Sequence, residues 1–477
     1  MNDAAHRPPA PSGSSPPSRS HRPPVSRIGQ GFASGKRALL GSLAVVSGLA
    51  LSVASAQSPP GPDPGRPAGA AASTASTDLS QTQGPRLAAT RKLPPEACDE
   101  IDRLIGEALA QGQMAGAVVV AADRDQYLFV QAYGDRQSEP EPLPMTPDTL
   151  FDLASLTKPI ATACSVMLLV ERGEVELAAP VATYLPEFSR HGKDEITVTD
   201  LLLHQGGLIP DNALRDYEDG PEVAWEKICD LSLRQPPGEA FVYTDVGFIV
   251  LGKLVERLSG QPLDEFAAEN LYRPLAMAST GFVPGEALRA RAAATERREG
   301  RWMVGEVHDP RAYLMGGVAG HAGLFATAED LVTFGRMLLV EGQIPSVDSD
   351  SDSDSDPDSD SDSDSDPDSD SDSDSGRRPR VMQPATVRLM RQPREVSRGQ
   401  RALGWDVQSP YSGNRGRSLS PSAFGHGGFT GTVFWVDPEK DLVFVFLSNR
   451  LHPDGQGSVN GLAGELATRI GRAIPTR

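Results

Sequence analysis

Cysteine is scarce. Cys98, Cys164 and Cys229 are the three in a chain of 477 residues, too few for a disulfide framework. A Cys98–Cys229 bridge stays open, while Cys164 falls in an apolar run at helical spacing, where a small hydrophobe fits. Lysine is nearly as scarce, at seven. Aromatic residues make up 6% of the chain, and none is interleaved with a basic patch, which excludes a nucleic-acid stacking platform. His204, His308 and His321 never approach the His-Glu-x-x-His spacing of a helical zinc site. No metal and no cofactor is expected.

Acidity is abundant but local. The formal net charge is −19, and the Ser-Asp repeat of residues 348–375 holds fourteen aspartates, so the rest of the chain stands at −5. Such a tract cannot bury a core. Residues 346–380 are therefore read as a disordered insertion, a solvated spacer, with divalent-cation binding as the other reading. Its two ends are expected to lie close together on a surface loop.

The first ninety residues look non-globular. Lys36 and Arg37 precede an Ala/Leu/Val/Ser run at 38–54, and Ala54-Ser55-Ala56 offers a small-residue cleavage site. Residues 1–56 thus read as a signal peptide or an uncleaved membrane anchor, and either one exports the rest. Residues 57–93 are a disordered Pro/Gly/Ala/Ser-rich linker. The globular part is 94–477.

Its pattern is α+β. An amphipathic helix is expected at 95–113, with Ile101, Leu104, Ile105 and Leu109 on one side. Residues 115–122 and 127–133 form a hairpin. Helical spacing then dominates to Val340, and Thr327 with Asp330 forms a capping box. Strands return near Ala402-Leu403-Gly404-Trp405, at a glycine-lined edge strand 424–431, and at a hairpin across Asp437-Pro438-Glu439-Lys440. A helix at 461–474 closes the chain. The class is an antiparallel β-sheet flanked by helices, plus an all-helical region.

One stretch draws chemistry to itself. In residues 151–173 a turn feeds an apolar helix, Pro159 sits in its first turn, and Ser155 and Lys158 are three apart. A hydroxyl at a helix start with an amine one turn on is the arrangement of a lysine-activated serine nucleophile. Taken alone it is equally an N-cap serine with a solvated lysine. Further on, Tyr243-Thr244-Asp245 lies between a Pro/Gly turn and an apolar helix, and His426-Gly427-Gly428 opens a strand.

In this order the three elements resemble the serine β-lactamase and penicillin-binding protein superfamily, in particular its class C β-lactamase-like group. Phe151-Asp152-Leu153-Ala154-Ser155, His204-Gln205-Gly206-Gly207-Leu208 and Gly404-Trp405 resemble it too. Residues 317–325, GVAGHAGLF, are similar to the penicillin-binding type 4B, D-alanyl-D-alanine carboxypeptidase-like branch. The resemblance implies a site between sheet and helices. Ser155 would be the nucleophile, Lys158 its base with a lowered pKa, and Tyr243 a proton relay. The N–H groups of Ser155 and Phe429, beside Gly428, would form the oxyanion hole. Asp245 and His426 would meet the substrate, His426 facing its carboxylate or leaving group.

Two departures stand out. Asp245 replaces the usual Asn and cannot donate an amide hydrogen bond. Gly427 replaces the usual Thr. Both argue against efficient β-lactam hydrolysis, with weak β-lactamase activity as an alternative, and leave open an ester or a cell-wall D-amino-acid peptide as the small-molecule substrate. A binding protein that docks such peptides without turnover is the competing class.

Overall fold

The structure, a computed structural model, describes residues 87–345, 379–455 and 457–476. The export segment, its possible anchor at 38–54, most of the linker and the Ser-Asp tract lie outside the described residues.

The backbone of the fold is a ten-stranded antiparallel sheet. Its order across the sheet is Thr90–Arg91, Tyr127–Gln137, Gly116–Ala122, Leu442–Ser448, Thr432–Asp437, Phe424–Gly428, Asp406–Gln408, Gly399–Arg401 and Arg394–Val396, with Leu143–Pro144 on the flank of Tyr127–Gln137. Both ends of the chain therefore build one sheet, joined where Leu442–Ser448 pairs with Gly116–Ala122. The first strand pairs Thr90 with Val130 and Arg91 with Phe129, so the ordered fold starts inside the stretch read as linker.

Residue alternation divides the core. Ala117, Val119, Ala121, Phe444 and Phe446 face helices Pro95–Ala110 and Asn460–Ala473. Val118, Val120, Val443, Val445 and Leu447 face the other side, with helix Ala328–Leu339 and the helical region. Period-two alternation with both faces covered explains why Gly116–Ala122 and Leu442–Ser448 are buried at every position. Helix Ala328–Leu339 starts where expected: Thr327 Oγ1 accepts from Asp330 N at 3.3 Å, a cap of about 1 kcal/mol. Close packing comes at Gly335, where an added Cβ would stand 2.5 Å from Val443 Cγ1.

The helical region also carries two small antiparallel sheets that its spacing did not reveal. One is Phe151–Asp152, Leu324–Ala326 and Gly281–Phe282; the other is Ala294–Arg298 with Arg301–Val304. Two more details differ from the sequence reading. Ala402 and Trp405 close a turn on each other, and the strand begins at Asp406. Phe424–Gly428 is not an edge: Gly425 also pairs with Asp406. The three cysteines are free and buried. At the tract, Gln343 bridges Arg380 and Ile344 N donates to Pro379 O at 3.0 Å, so the ends of the insertion are neighbours.

Candidate active site

Ser155 sits on a strained turn. Ala154, just before it, has φ +46°, a left-handed conformation unusual for a residue with a Cβ. Asp152 offsets that strain by accepting from Ala154 N at 2.8 Å through Oδ1 and from His308 N at 2.6 Å through Oδ2. The chain then runs through a tight turn at Ala154–Leu156 and a wide turn at Lys158–Ala163 before the α-helix Cys164–Glu171. The expected single helix is thus entered in steps. Apolar side chains still carry it: the stretch Ala154–Glu171 is apolar enough by composition to span a membrane, and it is buried in the core.

Lys158 has no solvent exposure. Its Nζ donates to Ser155 Oγ at 3.1 Å and to His321 O at 3.1 Å, and it pairs with Asp245 Oδ1 at 2.6 Å. Three donors meet three partners. Burial alone would depress the ammonium, but the Asp245 carboxylate and then Tyr243 outweigh it and hold the Lys158 pKa above its ordinary value. This corrects the lowered pKa that the resemblance implied. Reciprocally, burial would raise the Asp245 carboxyl, and Lys158 pulls it below the usual carboxylate range. Asp245 therefore turns to Lys158 as its counter-ion, at the first residue of helix Asp245–Ser259, where negative charge is favoured.

The Tyr243–Asp245 loop is held from behind by His204. Thr244 N donates to His204 Nδ1 at 3.2 Å, and the imidazole lies 4.4 Å from the Tyr243 ring. The turn after His204 needs glycine, since Gly207 has φ +71° and an added Cβ would meet Gln235 O at 2.2 Å. Tyr243 presents its ring 5.1 Å from Lys158 Nζ. Burial raises its phenol pKa, although Lys158 and hydrogen bonding to Ser155 act the other way.

The glycine-rich stretch around His321 closes the inner side. Gly320 admits no side chain, because an added Cβ would stand 2.0 Å from Phe248 O. Thr162 Oγ1 donates to Gly320 O at 2.7 Å, which fixes the carbonyl of His321 on Lys158. The His321 ring meets Asp309 Oδ1 at 2.9 Å, and Asp309 also caps helix Pro310–Leu314. Despite burial, His321 and these N–H groups hold the Asp309 carboxyl far below the usual range. Asp245, Asp309 and His321 bring possible ligand atoms within 4.8 Å of one another. Lys158 already supplies a positive charge to that group.

The outer wall is the strand Phe424–Gly428. An added Cβ at Gly428 would stand 2.4 Å from Leu153 O, so the strand lies hard against the Ser155 turn. At Gly427 an added Cβ would meet Asn414 Nδ2 at 2.3 Å: the space of the missing Thr is taken by an amide. Trp435 Nε1 donates to Asn414 Oδ1 at 3.1 Å and so orients it. His426 lines the cleft but is 5% exposed, and its Nδ1 donates to Gly427 O at 2.8 Å. Burial, then Arg401 and Lys158, push its pKa well below the ordinary histidine value. The expected encounter of His426 with a substrate carboxylate is thus that of a neutral ring, not a cation. Phe429 is 60% exposed at the rim, stacked 5.5 Å from His308.

These walls enclose a cleft of about 180 Å³ lined by Ser155, Tyr243, His426, Gly428, Phe429 and, among others, Arg401, Asp406, Tyr411 and Asn414. All seven expected site residues thus gather on one center: five line the cleft, and Lys158 and Asp245 lie behind Ser155. Sequence reasoning missed the Asp309–His321 pair, Arg401 with Asp406, and Asn414. His321 lies in the stretch 317–325, but no residue pattern there reveals its contact with Asp309, and Arg401, Asp406 and Asn414 belong to none of the motifs.

The Beta-lactamase family model matches residues 101–468. A protein of Bacillus subtilis strain 168 named N-acetylmuramyl-L-alanine amidase is 30% identical over 406 residues, 76% of this chain and 83% of that one. A putative D-alanyl-D-alanine carboxypeptidase of Escherichia coli K12 is 29% identical over 401 residues, 75% of this chain and 83% of that one. Among solved structures, a penicillin-binding protein homolog from Caulobacter crescentus has a TM-score of 0.60 at 20% identity, covering 81% of this chain and all (100%) of that one. EstCE1, described as a hydrolase with promiscuous acyltransferase activity, has a TM-score of 0.58 at 20% identity over 79% of this chain and 98% of that one; both likenesses speak to the fold. The chain belongs to the Beta-lactamase family and is built as a serine hydrolase.

Proposed function

We propose that this protein is an exported hydrolase that forms an acyl-enzyme on Ser155 and cleaves ester or amide bonds, in carboxylesters or in D-amino-acid peptides derived from the cell wall. The observation that carries the reading is Lys158 Nζ at 3.1 Å from Ser155 Oγ, at the end of a cleft lined by Tyr243 and the Gly428 strand. Relatives named for a cell-wall amidase and a D-alanyl-D-alanine carboxypeptidase support the substrate class and, with residues 38–54, export.

Ser155 Oγ attacks the carbonyl. Its proton enters the Lys158–Tyr243 pair, and Tyr243 passes a proton to the leaving group. The N–H groups of Ser155 and Phe429 hold the developing oxyanion. Water then repeats the sequence in reverse. The competent form of the pair is the one that has already lost a proton. Asp245 makes that form rarer by holding Lys158 charged, so the rate climbs with pH. Asp245 as an acceptor only, and Gly427 without a hydroxyl, weigh against β-lactam turnover.

The test is a panel of short-chain p-nitrophenyl esters, D-Ala-D-Ala peptides and nitrocefin, with Ser155→Ala as control. Ester or peptide turnover above nitrocefin turnover, abolished by Ser155→Ala, is expected. A nitrocefin kcat/KM near about 10⁷ M⁻¹s⁻¹ contradicts the reading. Burst acylation with no steady-state release points to the competing class, a binding protein.

A further inference from the structure

The two donors of the oxyanion hole come from different sheets. Ser155 follows Phe151–Asp152, in the three-stranded sheet, and Phe429 follows Phe424–Gly428, in the ten-stranded one. Ladder hydrogen bonds fix the spacing within a sheet, but among the described strands none joins these two. Threonine hydroxyls do. Thr430 Oγ1 donates to Asp152 O at 2.7 Å, and Thr432 Oγ1 donates to Leu153 O at 3.1 Å. The two carbonyls are consecutive and stand just before the nucleophile turn. The ladder ends at this point: Leu153 N donates to Leu324 O at 2.9 Å, while Leu324 N turns to Thr157 Oγ1 at 3.1 Å. Leu153, with ψ −10°, has left the extended region, so its carbonyl swings away from the ladder and meets Thr432.

The far side of the Phe429 turn is held as well. Gly431, at φ +97°, donates its N–H to Gly428 O at 3.1 Å and closes the hairpin. Ser448 Oγ donates to Gly431 O at 2.8 Å, and Arg450 Nε donates to Phe429 O at 2.6 Å. Phe429 thus sits between a fixed loop and the Thr430 contact. Donors held in place before charge develops need no reorganisation in the transition state. Thr430 and Thr432 are at most 1% exposed. A valine of the same shape would fill their space, but only a hydroxyl ties one sheet to the other.

We propose that Thr430 and Thr432 are positioning residues for acylation: their hydroxyls lock the two sheets at the spacing that aims the N–H groups of Ser155 and Phe429 at one oxyanion. This rests on the acyl-enzyme reading of Ser155 and names what makes its oxyanion hole rigid.

The test uses the full chain, p-nitrophenyl acetate as substrate and phenylboronic acid, whose tetrahedral adduct on a serine reads the oxyanion hole at equilibrium. Thr430→Val removes the hydroxyl and keeps the branching; Thr430→Ser keeps the hydroxyl. In folded Thr430→Val, kcat is expected to fall about tenfold or more with KM nearly unchanged. Phenylboronic acid affinity falls by a similar factor, and Thr430→Ser restores most of both. Thr432→Val acts in the same direction and carries the comparison if Thr430→Val does not fold. A purely structural role lowers the Tm and leaves kcat per folded molecule and boronate affinity untouched. That result, or an equal loss in Thr430→Ser, overturns the proposal while Ser155 catalysis stands in the wild type. A wild type that hydrolyses no ester and forms no adduct on Ser155 refutes the acyl-enzyme reading itself, and the positioning role falls with it.

Discussion

Lys158, fully buried, and Asp245, part-buried, form an ion pair at 2.6 Å, in the place where a lysine base is expected to be poised for deprotonation. The carboxylate sets the protonation of the site. Replacing Asp245 with Asn removes the counter-charge, so burial acts on Lys158 unopposed and its pKa falls. The pH profile of kcat/KM for a p-nitrophenyl ester is expected to rise toward alkaline pH in the wild type. In Asp245→Asn its ascending limb moves more than about one unit to lower pH. A limb in the same position in both proteins would separate Lys158 from the rate.

Gly428 has no room for a methyl group, with Leu153 O and Thr432 Oγ1 at 2.4 and 2.2 Å from an added Cβ. Gly428→Ala must push the strand away from the Ser155 turn and misalign the Phe429 N–H. Loss of one oxyanion donor costs about 10² to 10³ in rate. Steady-state kinetics should show that loss in kcat, with a near-native far-ultraviolet spectrum. An unchanged kcat would remove Phe429 N–H from the mechanism.

His426 is neutral inside the fold, because burial, Arg401 and Lys158 hold its pKa well below the ordinary value. The unfolded chain takes up a proton as pH falls below about 6.5, and the native ring does not. Stability is therefore lost on going down in pH through that window, by about 1.4 kcal/mol per pH unit from this group. Urea titrations at pH 7.5 and 5.5 on the wild type and on His426→Gln isolate the effect. The wild type should lose more stability than the variant, and parallel losses would contradict it.

Deleting residues 348–375 tests the reading of the Ser-Asp tract as a spacer. The Gln343–Arg380 bridge already holds the flanking segments together, so a short linker suffices. Loop closure changes by only about 0.6 kcal/mol per doubling of length. Activity within about twofold and a nearly unchanged Tm are expected. Loss of either would give the tract a structural or cation-bridging role.

Much of this fold was legible because its signals are local. The apolar, β-rich run Gly116–Ala122, the Thr327 cap and the apolar spacing after Pro159 each report on their own neighbourhood. Ser155, Tyr243 and His426 were legible as motifs. Charge states were not: the Lys158 pKa depends on a partner 87 positions away, and only the fold sets their distance of 2.6 Å. The same holds for Asn414, which fills the space at Gly427, and for the Asp309–His321 pair. The sheet of Phe151–Asp152, Leu324–Ala326 and Gly281–Phe282 was hidden because two- and three-residue strands leave no period to read.

The proposed function stands or falls with acylation of Ser155. Incubation with a fluorophosphonate probe or a fluorescent penicillin, followed by digestion and mass spectrometry, reads it directly. One adduct is expected, on the peptide holding Ser155, absent in Ser155→Ala and formed far more slowly in Lys158→Ala. An adduct on another residue, or labelling that survives Ser155→Ala, would contradict it.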